Sequence, residues 1–490
     1  MKSLYSDSRV SLLQSLFLLA SSIALIVMRY PSFLINPRIW AEESIYLETF
    51  FSSPNILDGF DAFIYPAYYV LISRIVGLFA SLVDPENAAL VTTICGLIVL
   101  LIPLMIILFG SSKYWSSMYQ KIVLSAFLIF SCSTGEIWMN STNVGFIMAV
   151  ATFLILIDEN SGSYLKSFLY GVCLFLAILT GPISLLMSPF FLYRFLQKRE
   201  SMYFIYCLLF LVLGLFQISY FLISHNLDAS IGNLNRGIFL SNSLTESFFY
   251  WLAPNLIFPI FGYFIATGFR TFMIMANQNP EQLISLSESL PYGANSIIGW
   301  TIYLLPAFTI VLVVVISIIY IYLFKRSSID ERVYMLILFL YLSLILTALS
   351  LGGHGGYRYS YVCSFILLFY LFQKFLALNA GLERNLIKGV ISFSLIVGAL
   401  EYYPRVISFS PDYRSDQESA WPNWRDEVVT WKEDPAYHPR IWPHLRMDTN
   451  IWPARSTVWR IDLSNTKTWD ESGRLKYSKE LKNLIQGGEK

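Results

Sequence analysis

AALVTTICGLIVLLIPLMIILF, residues 88–109, holds 22 residues without one charged side chain. A helix rises 1.5 Å per residue, so about 20 apolar residues cross a hydrocarbon core of about 30 Å. This stretch therefore reads as a membrane span. Other long, mostly apolar runs lie at 10–28, 122–138, 203–223, 296–323, 333–350, 360–378 and 389–404. Shorter or interrupted runs lie at 143–157, 165–180 and 182–195, and two ambiguous ones at 64–83 and 248–277.

Composition agrees with that reading. Of 490 residues, 56% are hydrophobic and 14% charged, and the mean hydropathy is +0.56. A soluble domain carries about 25% charged residues, so this chain is expected to be neither cytosolic nor disordered. The formal net charge of +1 offers no general field for nucleic acid. The five cysteines, Cys95, Cys132, Cys173, Cys207 and Cys363, form no CxxC pair and imply neither a disulfide framework nor a zinc site. Charge is concentrated at one end: residues 405–490 hold 14 Lys+Arg and 13 Asp+Glu. Two domains follow, a membrane domain over 1–404 and a small polar tail over 405–490.

Basic clusters at Lys2/Arg9, Lys113/Lys121, Arg194/Lys198/Arg199, Lys325/Arg326/Arg332 and Arg384/Lys388 set the orientation. They fall on one side only if 64–83 does not cross and 248–277 contributes no crossing or two. Arg74 at the middle of 64–83 would cost about 2.5–3.5 kcal/mol at the bilayer centre, so that segment is expected at the outer interface. Pro254 and Pro259 make 248–277 re-entrant or interfacial. The expectation is an all-α polytopic protein of about 11 transmembrane helices, N-terminus inside and tail outside. The first run is read as a retained span: about 19 apolar residues exceed a signal-peptide core.

With this orientation the polar segments 29–63, 135–143, 224–247 and 352–359 face outward together with the tail. The first holds Glu42, Glu43, Glu48, Asp58 and Asp61. Glu42 and Glu43 point about 100° apart on a helix, so one of them faces a given site. The plainer alternative is a set of solvated loop acids favoured at helix N-termini. Gly352-Gly-His354-Gly-Gly-Tyr357-Arg358-Tyr359 pairs conformational freedom with a guanidinium. It reads as a phosphate clamp of Arg358 and His354, or as a turn with an interfacial Arg-Tyr anchor. Glu136 and Asn140 lie in a second turn that can line a polar pocket or anchor Trp138 at the interface. Seven of 12 Trp lie in the tail, suited to a small core of their own or to stacking on sugar rings. The run 421–431 reads as helical and 456–463 as a strand, so the tail is expected to be a small α+β domain.

Trp40-Ala41-Glu42-Glu43 resembles the Trp-Ala-Glu-Asp pattern in the first outer loop of bacterial multi-span glycosyltransferases of the GT-C type. Tyr69…Arg74 resembles the Gly-Tyr…Pro-Arg helix that follows it. Gly135-Glu136-Ile-Trp-Met-Asn140 is similar to the family's second outer turn, and Trp424-Arg425…Trp431…Ile441-Trp442-Pro443 to its tail pattern. Glu43 stands for the family's Asp, Ser44 for the following Gly, and Ser73 for the Pro before the arginine.

The resemblance implies a bacterial inner-membrane enzyme that takes a sugar from a polyprenyl-phosphate donor on the outer leaflet. It would place that sugar on an envelope glycan or lipid-linked acceptor. Phosphate leaves without the protonation that a glycosidase must supply, so one base, one or more cations and an apolar groove suffice. Glu43 or Glu42 would be the base. Arg358, His354 and Arg74 would meet the phosphate, with Tyr357, Glu136 and Asn140 beside the substrate. The scheme needs no cofactor; the alternative is a divalent cation held by Asp58, Asp61 and a phosphate oxygen. Rival readings are an O-antigen-type polymerase or ligase, which would lean on a basic central loop, and a transporter or flippase, whose charges would sit near the midplane.

Overall fold

A computed structural model of the chain describes residues 11–40, 43–52, 56–61, 68–110, 112–130, 137–158, 163–231, 255, 257, 259–261, 321–350, 360–401, 423–434, 437 and 439. Among these residues the secondary structure is helical throughout, with no strand. The helices are α1 Leu12–Arg29, α2 Ser32–Ile35, α3 Glu43–Ser52, α4 Ile56–Asp61, α5 Leu71–Ser81, α6 Pro85–Phe109, α7 Met118–Phe130 and α8 Val144–Ile157. They continue as α9 Tyr164–Ile178, α10 Ser188–Lys198, α11 Ser201–Ile231, α12 Ile329–Ser350, α13 Ser360–Ala377, α14 Leu382–Leu400 and α15 Trp424–Glu433. The chain forms two compact units: one of 1–125, 134–235 and 403–490, the other of 126–133 and 236–402.

Among the described residues four helices are long and apolar enough to cross a membrane: α1, α6, residues 201–223 of α11, and α13. This makes the chain an all-α membrane protein. A fifth crossing arises if the pair Tyr164–Leu179 and Pro182–Lys198, bent by 120°, counts as one broken span. Shorter apolar helices are α5, α7 and α8. The expected runs 248–277 and 296–323 and the 456–463 strand lie mostly or wholly outside the described residues.

In the first unit α8 is the central helix. It buries every residue from Val144 to Ile157 except Gly145, packing against α6, α9 and α10. Being surrounded is why its 14 residues are apolar on all sides. α1 starts at a capping box in which Gln14 donates its backbone N–H to the Ser11 hydroxyl and accepts from the Ser11 N–H.

The bend after α9 falls at Gly181, whose φ of 145° suits glycine. A carbonyl and a hydroxyl at the bend are taken up by the start of α5. Leu71 N–H donates to Leu179 O at 2.8 Å and Ile72 N–H to the Thr180 hydroxyl at 3.3 Å. Gln217 of α11 completes the junction: its amide accepts from Tyr69 N–H at 3.0 Å and donates to Tyr69 O and Ile178 O, both at 2.9 Å. A buried amide so engaged avoids the several-kcal/mol cost of an unmet polar group in an apolar medium. At the other end of α9, Asp158 meets the Lys166 ammonium at 2.7 Å and the Tyr170 hydroxyl.

In the second unit α13 packs between α12 and α14. Lys374 of α13 forms a buried ion pair with Glu331 at 2.8 Å, and Glu331 also accepts from Ser328 N–H at 2.7 Å. Phe127 stacks edge-on against Phe372, and the Tyr361 hydroxyl donates to Leu128 O at 3.4 Å.

Candidate functional site

The described part of the candidate site lies in the first unit and is built around Glu43. This residue opens α3 and is 2% exposed. One carboxylate oxygen accepts from Trp40 N–H at 2.9 Å. That is the backward three-residue reach of a capping-box glutamate, so local sequence alone places the side chain. The other oxygen accepts from Ser141 N–H at 2.6 Å, across 98 residues of chain. Ser141 is held in turn by α5, because the Ser73 hydroxyl donates to its carbonyl at 2.6 Å.

Close approach of backbones makes these bonds possible. A Cβ added to Gly96 of α6 would lie 2.5 Å from the Met139 carbonyl carbon and 2.6 Å from Asn140 N. Real structures essentially never show such distances, so the 137–143 segment reaches α6 only over a glycine. Gly96→Ala is expected to push that segment away, costing about 1–3 kcal/mol as an overpacked contact does. The midpoint of thermal unfolding in detergent checks this; an unchanged midpoint would mean the segment has room to spare.

Asn140 is buried and serves its own loop. Its side-chain oxygen accepts from Asn143 N–H at 3.1 Å, and its amide nitrogen donates to Trp138 O at 3.5 Å. Trp138 donates from its indole to Ile26 O at 3.1 Å, and the Arg29 guanidinium lies 4.3 Å from its ring centre. Arg38, buried likewise, lies 3.9 Å from the Phe33 ring and 4.8 Å from that of Trp40.

Electrostatics follow from this burial. Desolvation pushes the Glu43 carboxyl above its ordinary range, while the N–H groups of Ser141 and Trp40 and the Arg38 charge pull it back. Burial lowers Arg38 to about 9, with Glu43 and Tyr30 acting in the opposite direction. Arg38 remains a cation at neutral pH.

Arg74 of α5 is buried and caps α4 in place of pointing to an interface. One guanidinium nitrogen donates to Gly59 O at 3.0 Å and Phe60 O at 2.9 Å; the other donates to the Tyr220 hydroxyl at 3.0 Å. The Tyr69 ring lies 4.4 Å below the guanidinium carbon. A cation at the last carbonyls of a helix is favoured by geometry and dipole alike. Asp58 and Asp61 lie on α4, the first half-buried and the second exposed. Among the described residues no group of three or more His, Cys, Asp or Glu is arranged to hold a metal ion.

The tail meets the same assembly through α15. Trp424, Val428 and Trp431 pack with Ile39, Leu47, Phe51, Ala80, Ala88 and Ala89 in one buried cluster. The Trp424 indole donates to Pro85 O at 2.7 Å.

The structure thus bonds Glu43 to Ser141, the neighbour of Asn140, while Arg74 is engaged by Gly59, Phe60 and Tyr220. Glu42, Glu136, His354, Tyr357 and Arg358 lie outside the described residues. Sequence reasoning missed Arg38, Ser73, Ser141, Gln217 and Tyr220. Gln217 carried a usable signal, a lone amide inside an apolar run; Ser141 contributes backbone groups that residue type cannot reveal.

No family model, no curated protein and no solved structure matches this chain.

Proposed function

We propose that this chain is a membrane glycosyltransferase that moves a sugar from a polyprenyl-phosphate donor to an envelope glycan or lipid-linked acceptor. The reading carries with it about 11 spans in a GT-C-like arrangement and a small α+β tail domain. It places the protein in a bacterial inner membrane, with the N-terminus inside and the site and tail on the outer side.

One observation supports the reading most. The stretches that carry the resemblance, far apart in sequence, are bonded to one another. Glu43, of the first stretch, accepts from the N–H of Ser141, the residue that follows the second. Trp424 and Trp431 pack on Ile39, next to Trp40.

The chemistry is a single displacement. An acceptor hydroxyl oxygen attacks the anomeric carbon, the bond from that carbon to the phosphate oxygen breaks, and the polyprenyl phosphate leaves with the electron pair. The hydroxyl proton passes to a carboxylate, help typically worth 10²–10⁴-fold. Both Glu43 oxygens accept backbone N–H groups and the side chain is buried, so the base is proposed to be its neighbour Glu42. Glu43 is then a positioning residue, bonded to Trp40 and Ser141. Arg358, with His354, is proposed to receive the developing phosphate charge.

Mass spectrometry of envelope glycans with and without the gene tests the reaction. The expected result is the loss of one sugar, restored by the wild-type gene and not by Glu42→Gln at equal protein abundance. Identical glycans in both strains would remove the transferase reading. Full restoration by Glu42→Gln would remove Glu42 as the base.

A further inference from the structure

We infer that α15 of the tail is a positioning element for the Trp40–Glu43 turn, clamping the first loop onto α6. The clamp is physical in origin, and its consequence for transfer rests on the proposed function.

The helix itself is defined by its sequence. Asn423 caps it, accepting from Arg425 N–H, with Asp426 and Glu427 in the first turn and Lys432 in the last, as the helix dipole favours. Trp424, Val428 and Trp431 recur at spacings of four and three and form one buried stripe. Of the tail residues described beyond the helix, Tyr437 packs against that stripe. The stripe closes over Ile39, Leu47 and Phe51 on one side and Ala80, Ala88 and Ala89 on the other. Ile39 lies between Arg38 and Trp40, so the cluster holds the residue next to the one whose N–H Glu43 accepts.

Three polar contacts fix the helix in register on α6. The Trp424 indole donates to Pro85 O at 2.7 Å, Lys432 meets Glu86 at 2.6 Å, and Arg425 donates to Asn87 at 3.4 Å. They engage three consecutive residues at the start of α6. The Tyr437 hydroxyl donates to Glu427 at 2.5 Å and carries the chain beyond α15 back onto it. The three alanines on α6 and α5 suit this role, because small side chains leave room for two indoles. A passenger helix would need neither the shared cluster nor a register.

The test is amide hydrogen exchange on the full-length protein in nanodiscs, which needs no substrate and no activity. In Trp431→Ala, exchange of residues 43–52 is expected to rise at least about tenfold, with α8 as protected as in the wild type. Trp431→Phe, which keeps a ring in the cluster, is expected to restore most of the protection. Trp424→Phe, which removes the bond to Pro85 and keeps a smaller ring in the cluster, gives a smaller rise and guards against failure of the alanine variant to fold. Freed α15 amides with unchanged protection of 43–52 would overturn the inference. Where transfer is measurable, the loosened turn lowers kcat more than it raises KM. An inactive wild-type protein sinks the transferase reading and leaves the exchange result standing.

Discussion

Glu43→Ala lowers the unfolding free energy by about 2–6 kcal/mol, since it leaves two buried backbone N–H groups without their acceptor at about 1–3 kcal/mol each. Truncation takes the acceptor from Trp40 N–H and Ser141 N–H and removes the negative charge that favours the Arg38 cation. Glu43→Gln costs less, about 1–3 kcal/mol, because its single amide oxygen can accept one of the two N–H groups while its NH₂ faces the other. Transfer is lost in step with the folded population in both variants. That distinguishes a positioning carboxylate from a base, whose amide variant stays folded and inactive. The pH dependence separates the cases again. With its folded pKa above the unfolded one, Glu43 binds its proton more tightly in the folded chain. Stability from this group is present below the ordinary glutamate range and is lost as pH rises through the raised value. Glu43→Gln removes that slope. Chemical denaturation across this pH range checks it, and an equal slope in both proteins would show that another group titrates. The two effects do not conflict: ionising a buried carboxyl costs desolvation, and deleting it strands the partners that were arranged around it.

The class of the protein was legible because span length is a matter of composition. α1, α6, α11 and α13 coincide with long apolar runs that carry at most one charge, Lys374 of α13, and no neighbour is needed to read them. Intermediate lengths were not legible. Residues 143–157 are as apolar as a span, yet the helix there has 14 residues, about 21 Å at 1.5 Å each. Periodicity cannot separate such a helix from a crossing, since both are apolar on every side. The tail shows the same limit. The helix expected over 421–431 is present as Trp424–Glu433, but its tryptophans bury against α6 and the first loop, and nothing local to the tail names that partner. At the site, the Trp40–Glu43 motif contains the buried carboxylate. The second ligand of its carboxylate is a backbone N–H, which every residue but proline owns, so no spacing rule could find Ser141.

Arg74→Leu is the second large effect, a loss of at least about 3 kcal/mol, since hydrogen bonds to a charged group contribute about 1.5–3 kcal/mol each. An arginine in the middle of an apolar run reads from sequence as an interfacial cation, because the bilayer penalises it. The fold answers that penalty within the protein. The guanidinium fork reaches Gly59 O, Phe60 O and the Tyr220 hydroxyl at once, over the face of Tyr69. One side chain therefore ties α4, α5 and α11 together. Leucine fills much of the volume but offers no donor, so two carbonyls at the end of α4 lose their acceptance of this cation. Arg74→Lys restores charge without the planar fork and cannot serve three acceptors in that geometry. Its expected stability lies between the other two. Tyr220→Phe isolates one arm and should cost about 1 kcal/mol. Thermal unfolding of the four proteins in one detergent orders them as wild type, Tyr220→Phe, Arg74→Lys and Arg74→Leu. If Arg74→Leu instead matched the wild type in stability while losing donor binding, the guanidinium would be acting on the phosphate and its contacts to α4 would carry no weight. If both stability and binding fall together, as the burial of this side chain implies, Arg74 shapes the site from behind and the phosphate charge must be met by another cation.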